Sequence, residues 1–169
     1  MTNEQLWAPW RLSYILNNKE SVPATESGGC FLCRYRDQAN DVDNFVVARG
    51  ESAFVVLNRF PYNNGHLLIA PLAHKASLVE LDDGELLDCM RQLQKLMKVY
   101  SEILTPDGFN VGLNLGRVAG AGVPGHLHWH LVPRWQGDTS FMPILGETNV
   151  ISQSLQELYR YLTDALSRS

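Results

Sequence analysis

The sequence has no apolar run near the ~18 consecutive residues that a membrane-spanning helix needs. Its opening stretch, Met1 to Arg11, also lacks the basic flank and apolar centre of a secretory leader. Basic blocks are missing as well: 14 Lys and Arg stand against 18 Asp and Glu, for a net charge of −4. The expectation is a cytoplasmic protein without a membrane partner and without broad electrostatic affinity for nucleic acid. A small phosphorylated ligand stays open, because backbone N–H groups and a few side chains can hold phosphate locally. Cysteine is scarce. Two of the three thiols sit in Cys30-Phe31-Leu32-Cys33, which fits a reduced compartment and points to metal or redox chemistry before a structural disulfide. No internal repeat or low-complexity tail is visible. The 169 residues, 45% of them hydrophobic, suit one compact domain.

What is present alternates between short β-rich runs and two helical ones. Residues 1–29 read as an irregular arm in which Trp7-Ala8-Pro9-Trp10-Arg11 either anchors the arm by packing or stacks on a base. The Cys30–Cys33 pair is followed by a polar segment through Asn44. Phe45 to Ala48 and Ala53 to Leu57 read as a hairpin, and His66 to Ala70 as a further strand ending at Pro71. The intervening Asn58-Arg59-Phe60-Pro61-Tyr62-Asn63-Asn64-Gly65 is dense in turn formers. Leu81-Asp82-Asp83 opens a long helix with acids in its first turn; its apolar stripe runs through Leu86, Met90, Leu93, Met97, Tyr100 and Leu104 until Pro106 and Gly108 end it. Cys89 reads as a small core residue of this helix. Phe109 to Leu115 resumes strand character, and a last helix is expected over roughly 152–166. Gly120-Ala121-Gly122-Val123-Pro124-Gly125 spells a dinucleotide fingerprint, but it contains a proline and feeds a strand where that motif must open a helix.

The chain is organised around Gly125 to Trp135, GHLHWHLVPRW. His126, His128 and His130 alternate with Leu127, Trp129 and Leu131, so an extended backbone sends imidazoles to one side and apolar groups to the other. At a rise of about 3.3 Å per residue, adjacent histidines stand ~6.6 Å apart and the outer two ~13 Å apart. Zinc–nitrogen bonds of about 2.0–2.1 Å let two neighbours share a metal but not all three. The row must therefore divide its work. A lone strand histidine is usually structural, whereas three titratable rings buried together each need a partner. Neutral imidazole is also a competent nucleophile toward phosphorus when its other nitrogen carries a fixed proton.

His126-x-His128-x-His130, followed by an apolar pair and Pro133-Arg134, resembles the signature of the histidine triad (HIT) superfamily of nucleotide hydrolases and transferases. Leu57-Asn58-Arg59-Phe60-Pro61 with Gly65 to Pro71 is similar to that family's phosphate-binding turn and following strand. Trp7 to Arg11, Cys30-x-x-Cys33, Asn114-Leu115-Gly116 and Pro133-Arg134-Trp135 through Phe141-Met142-Pro143 most resemble bacterial diadenosine tetraphosphate phosphorylase-like members. The resemblance implies an α+β fold: a twisted antiparallel sheet of about five strands, one long helix and a carboxy-terminal helix. It also implies a homodimer with a continuous sheet. One HIT domain would cover 1–169, with an arm over 1–44, a catalytic core over 45–135 and an extension with a helix over 136–169.

By the same resemblance, His128 is the nucleophile toward the α-phosphorus of an adenine nucleotide or dinucleoside polyphosphate. His130 contacts phosphate or the bridging oxygen and assists departure. Asn58 and Asn114 hold nucleotide and phosphate. The loop bearing Gly122 and Gly125 either supplies amides to phosphate or is a simple flexible turn, and His66 either orients the triad or is a plain sheet histidine. Inorganic phosphate or water is the acceptor, and no catalytic metal is required. Cys30, Cys33, His74 and His126 would form a closed structural zinc site; a redox dithiol or two buried thiols are the other readings of the cysteines. The rivals in function are a nucleoside phosphoramidase of the same family, a catalytically silent nucleotide sensor and a zinc-stabilised interaction module.

Overall fold

The computed structural model describes residues 29–138 and 153–168; the expectations for Trp7, Trp10 and Phe141 to Pro143 fall outside them. Within the described residues the short β-rich runs pair into one five-stranded antiparallel sheet of order β1-β2-β3-β5-β4. Its strands are β1 (Val46–Arg49), β2 (Ala53–Leu57), β3 (Leu67–Pro71), β4 (Gly108–Leu113) and β5 (Trp129–Arg134). Antiparallel sheets commonly leave one face to water. Here every residue of β2 and β3 is buried, which explains why these strands are unbroken apolar runs without polar alternation.

The long helix, Asp83–Ile103, starts where the acids placed it: Asp82 caps the Glu85 amide and Glu85 returns to the Asp82 amide, a reciprocal capping box. Its buried stripe, Cys89, Leu93, Leu96, Val99 and Tyr100, joins the core with β2 and β3. The helix is also tied to the β1–β2 turn, since Asp88 Oδ2 accepts from the Ser52 and Ala53 amides at 2.7 and 2.9 Å. A carboxy-terminal helix, Leu155–Leu166, buries Leu158, Tyr159 and Leu162 and packs on β1 and the long helix. The fold is α+β.

The segment from Cys30 to Asn44 differs from its reading as a plain polar stretch. It forms two short helices, Phe31–Asp37, here α1, and Asp41–Asn44, α2. Helices this short do not persist alone. α1 is held by buried Leu32, Cys33 and Tyr35 and by Arg49 of β1, whose guanidinium donates to the carbonyls of Tyr35, Arg36 and Gln38 at its end.

Two features aim the histidines. Gly65 has φ +76°, and a Cβ there would lie 3.1 Å from Pro133 and 3.4 Å from Tyr100, so the turn before His66 requires glycine. The fully buried Tyr100 hydroxyl donates to the Gly65 carbonyl at 2.8 Å, fixing that turn to the long helix. On the other side, the ladder of the histidine strand begins only at Trp129. His126 and His128 stand in the irregular lead-in, which frees their rings to take different directions.

Candidate active site and metal centre

His130 pairs across β5 with Leu68 of β3 and Gly112 of β4. Directly opposed residues share a face, so Gly112 leaves open space beside the His130 ring, with no atom within 4 Å of where its Cβ would stand. Asn114, two residues on, brings its side-chain amide 3.4 Å from His130 Nε2, at the long end of hydrogen bonding.

The protons of this cluster follow from groups whose roles are fixed. The Tyr62 main-chain N–H lies 3.1 Å from His66 Nδ1 and can only donate. Neutral His66 therefore carries its proton on Nε2, and that N–H reaches His130 Nδ1 at 2.9 Å. His130 in turn holds its proton on Nε2, the nitrogen near Asn114. Asn58 supports the arrangement by donating through Nδ2 to His66 Nδ1 at 3.2 Å, while its Oδ1 accepts from the Phe60 amide. His128 is set the opposite way. Its Nδ1 lies 2.9 Å from the His126 carbonyl, which can only accept, so Nδ1 bears the proton and Nε2 keeps a lone pair. The His128 and His130 ring centroids are 5.0 Å apart.

Electrostatics keep these rings neutral. Burial pushes His66 down to about 3, helped by repulsion from His130 and then His128, and His130 to about 4, helped by repulsion from His128. His128 is also lowered by burial, partly offset by its bond to the His126 carbonyl. Uncharged, His128 has the form a nucleophile needs and His130 the form a neutral donor needs.

His126 belongs to a second cluster. Its Nε2 donates to the Pro71 carbonyl at 2.9 Å, so the lone pair on Nδ1 points at Cys30 Sγ and Cys33 Sγ, 3.3 and 3.4 Å away. His74 Nδ1 is 3.1 Å from Cys33 Sγ, and the four ligand atoms lie within 4.8 Å of one another. Ligands bound to one tetrahedral zinc at about 2.0–2.3 Å stand roughly 3.3–3.8 Å apart; the separations of His126 from both thiols lie in that range, and two thiols with two imidazoles are a donor set that suits the ion. The Pro71 carbonyl is the kind of outer partner that orients a metal-binding imidazole. Both cysteines are buried, and burial together with Cys30 raises the Cys33 thiol to about 11. Such a thiol becomes a thiolate only where a cation compensates.

Of the residues singled out in the sequence, His66, His128, His130, Asn58 and Asn114 thus meet in one cluster, and Cys30, Cys33, His74 and His126 in another. Among the described residues, no hydrogen bond joins Gly122 or Gly125 to either cluster. Their loop bonds internally through the amides of Gly120, Ala121 and His126, and among the described residues no hydrogen bond engages the amide of Gly122 or Gly125. Two participants escaped the sequence reading. Tyr62 lies over the His66 and His130 rings at centroid distances of 4.6 and 5.7 Å, hidden in a run that reads only as turn. Gly112 was detectable by counting back two residues from Asn114 along a strand.

Comparison with known proteins finds relatives over most of the chain. A family model described as the HIT domain matches residues 39–137. The AP-4-A phosphorylase of Mycobacterium tuberculosis is 38% identical over 166 residues, covering 98% of this chain and 85% of the relative. The adenosine 5'-monophosphoramidase of Saccharomyces cerevisiae is 32% identical over 124 residues, 72% of each chain. Among solved structures, a zinc-bound histidine triad family protein from Mycobacterium smegmatis superposes with a TM-score of 0.68 at 25% identity, over 85% of this chain and 96% of that one.

Proposed function

This chain belongs to the HIT family, and from that premise we propose that it is an enzyme cleaving dinucleoside polyphosphates, such as diadenosine tetraphosphate, through an adenylyl group carried on His128. The observation that carries the reading is the bond from His128 Nδ1 to the His126 carbonyl, which leaves the Nε2 lone pair for attack. That lone pair forms a bond to the α-phosphorus while the bond to the bridging oxygen breaks. The departing polyphosphate is assisted by the N–H at His130 Nε2. The positive charge that appears on the His128 ring is stabilised through its Nδ1 proton by the same carbonyl. Phosphate or water then attacks the phosphoramidate from the opposite side and returns the lone pair to Nε2. Asn58 and Asn114 hold the nucleotide and its phosphate, and the amides of Gly122 and Gly125 are offered to phosphate oxygens. No step needs a metal at the reacting phosphorus.

Cys30, Cys33, His74 and His126 hold a structural zinc, which binds α1 to the segment leading into β5. A reduced cytoplasm keeps the three cysteines as the free thiols seen here. The chain acts as a single domain and as a homodimer. The second point is supported by β4, which ends the sheet among the described residues with Val111 48% exposed.

Product analysis with diadenosine tetraphosphate tests the reading. Phosphate-dependent ADP plus ATP marks a phosphorylase, and AMP plus ATP without phosphate marks a hydrolase. Turnover of adenosine 5′-phosphoramidate alone would overturn the polyphosphate reading in favour of the activity named for the yeast relative.

A further inference from the structure

Tyr62 is 59% exposed, yet its ring is not idle. It stacks on His130 with an interplanar angle of 18° and lies tilted at 36° on His66, covering the outer side of the pair. We infer that Tyr62 is a positioning residue: its main-chain N–H and its ring together hold the His66–His130 pair so that His130 presents a proton, not a lone pair, toward the leaving group. The inference rests on the polyphosphate-cleaving reading for its consequence in catalysis, but its structural half stands apart from that reading.

The N–H supplies direction. With the Tyr62 amide and Asn58 Nδ2 both aimed at His66 Nδ1, a proton at that nitrogen would meet two donors head-on. The only neutral form left sends the Nε2 proton to His130 Nδ1 and places the His130 proton on Nε2. In the reverse arrangement His130 Nε2 would meet the oxygen of an anionic leaving group lone pair to lone pair, which repels.

The ring supplies dryness. The 2.9 Å bond between the two imidazoles is as strong as its surroundings are free of competing water. Among the described residues, the other polar groups in contact with the pair are His128 from the lead-in to β5, Asn114 beyond β4 and Asn58 from the turn. Arg59, the cation of the same turn, is directed away, onto Tyr35 and Phe45. Among the described residues, Tyr62 is the exposed ring that lies over both imidazoles of this bond. Burial as the leading cause of the low His66 and His130 values agrees with a covered pair.

The test uses the full chain with Tyr62→Phe and Tyr62→Ala, both of which keep the main-chain N–H. Steady-state rates with diadenosine tetraphosphate and phosphate are read beside the solvent exchange of the His66 Nε2–H proton in nitrogen-15 NMR of the free protein. Tyr62→Phe is expected to stay within about twofold of the parent and to keep a protected imidazole proton. For Tyr62→Ala a fall in kcat of about tenfold or more, with KM little changed, is expected, together with loss of that protection. Unchanged kcat and protection in Tyr62→Ala would overturn the inference. So would a raised KM with the proton still protected, because Tyr62 would then be a substrate-stacking residue. If the polyphosphate is not cleaved at all, the functional reading fails and the exchange measurement alone decides whether Tyr62 covers the pair.

Discussion

His126 and His128 are two residues apart, chemically identical and both buried, but they expose opposite ring nitrogens. His126 gives its Nε2 proton to the Pro71 carbonyl and turns Nδ1 to two thiols. His128 gives its Nδ1 proton to the His126 carbonyl and leaves Nε2 open. One backbone carbonyl on each ring decides which nitrogen keeps its lone pair, Nδ1 in His126 and Nε2 in His128. The two clusters are also joined, because the His126 main chain that would be fixed by a metal is the acceptor that orients His128.

The sharpest way to separate the two clusters is to disable each in turn. His128→Ala should leave the circular dichroism spectrum and the bound zinc unchanged while reducing turnover by about 10⁴-fold or more, as loss of a covalent nucleophile does. Substantial residual turnover would erase the distinction. Cys33→Ser should act in the opposite sense. Near-stoichiometric zinc, measured on untagged protein handled without chelators, should be lost, and unfolding free energy should fall by about 3 kcal/mol or more, as expected for a lost metal site. Activity should then fall by a smaller factor, through misalignment of the His126 carbonyl. Full retention of zinc in that variant would remove Cys33 from the ligand set.

The smallest effect is in pH. His66 has a folded value of about 3, below the ~6.5 of an unfolded histidine. Between these values the unfolded chain binds the proton that the folded one refuses, so stability falls as pH is lowered from about 6.5 toward 3, and the effect vanishes above that window. Replacing His66 by Gln should reduce the slope of unfolding free energy against pH by up to about 1.4 kcal/mol per unit between pH 6 and 5. Equal slopes in parent and variant would mean that His66 is not held neutral by burial.

Much of this was legible in the residue order, for identifiable reasons. The runs that became β2 and β3 are apolar throughout, and the Asp82–Glu85 box and its apolar stripe announce the long helix locally. The histidine alternation and the Cys30–Cys33 spacing marked both sites. What stayed hidden depends on partners distant in sequence. The short helices after Cys30 are completed by Arg49, 13 or more residues from two of the carbonyls it binds. The proton positions on His126 and His128 are set by the Pro71 and His126 carbonyls and that on His130 by His66, and no spacing rule reveals which ring nitrogen meets which. Tyr62 was obscured because turn formers surround it, though its ring serves the neighbouring strands.

The decisive experiment is to trap the bond itself. The protein is mixed with diadenosine tetraphosphate in the absence of added phosphate, quenched in alkali, where phosphoramidates survive, and digested for mass spectrometry. One adenylyl group on the peptide containing His128, lost when phosphate is added before the quench, is the expected result. Rapid cleavage of the substrate with no modified histidine at any quench time would contradict covalent transfer through His128.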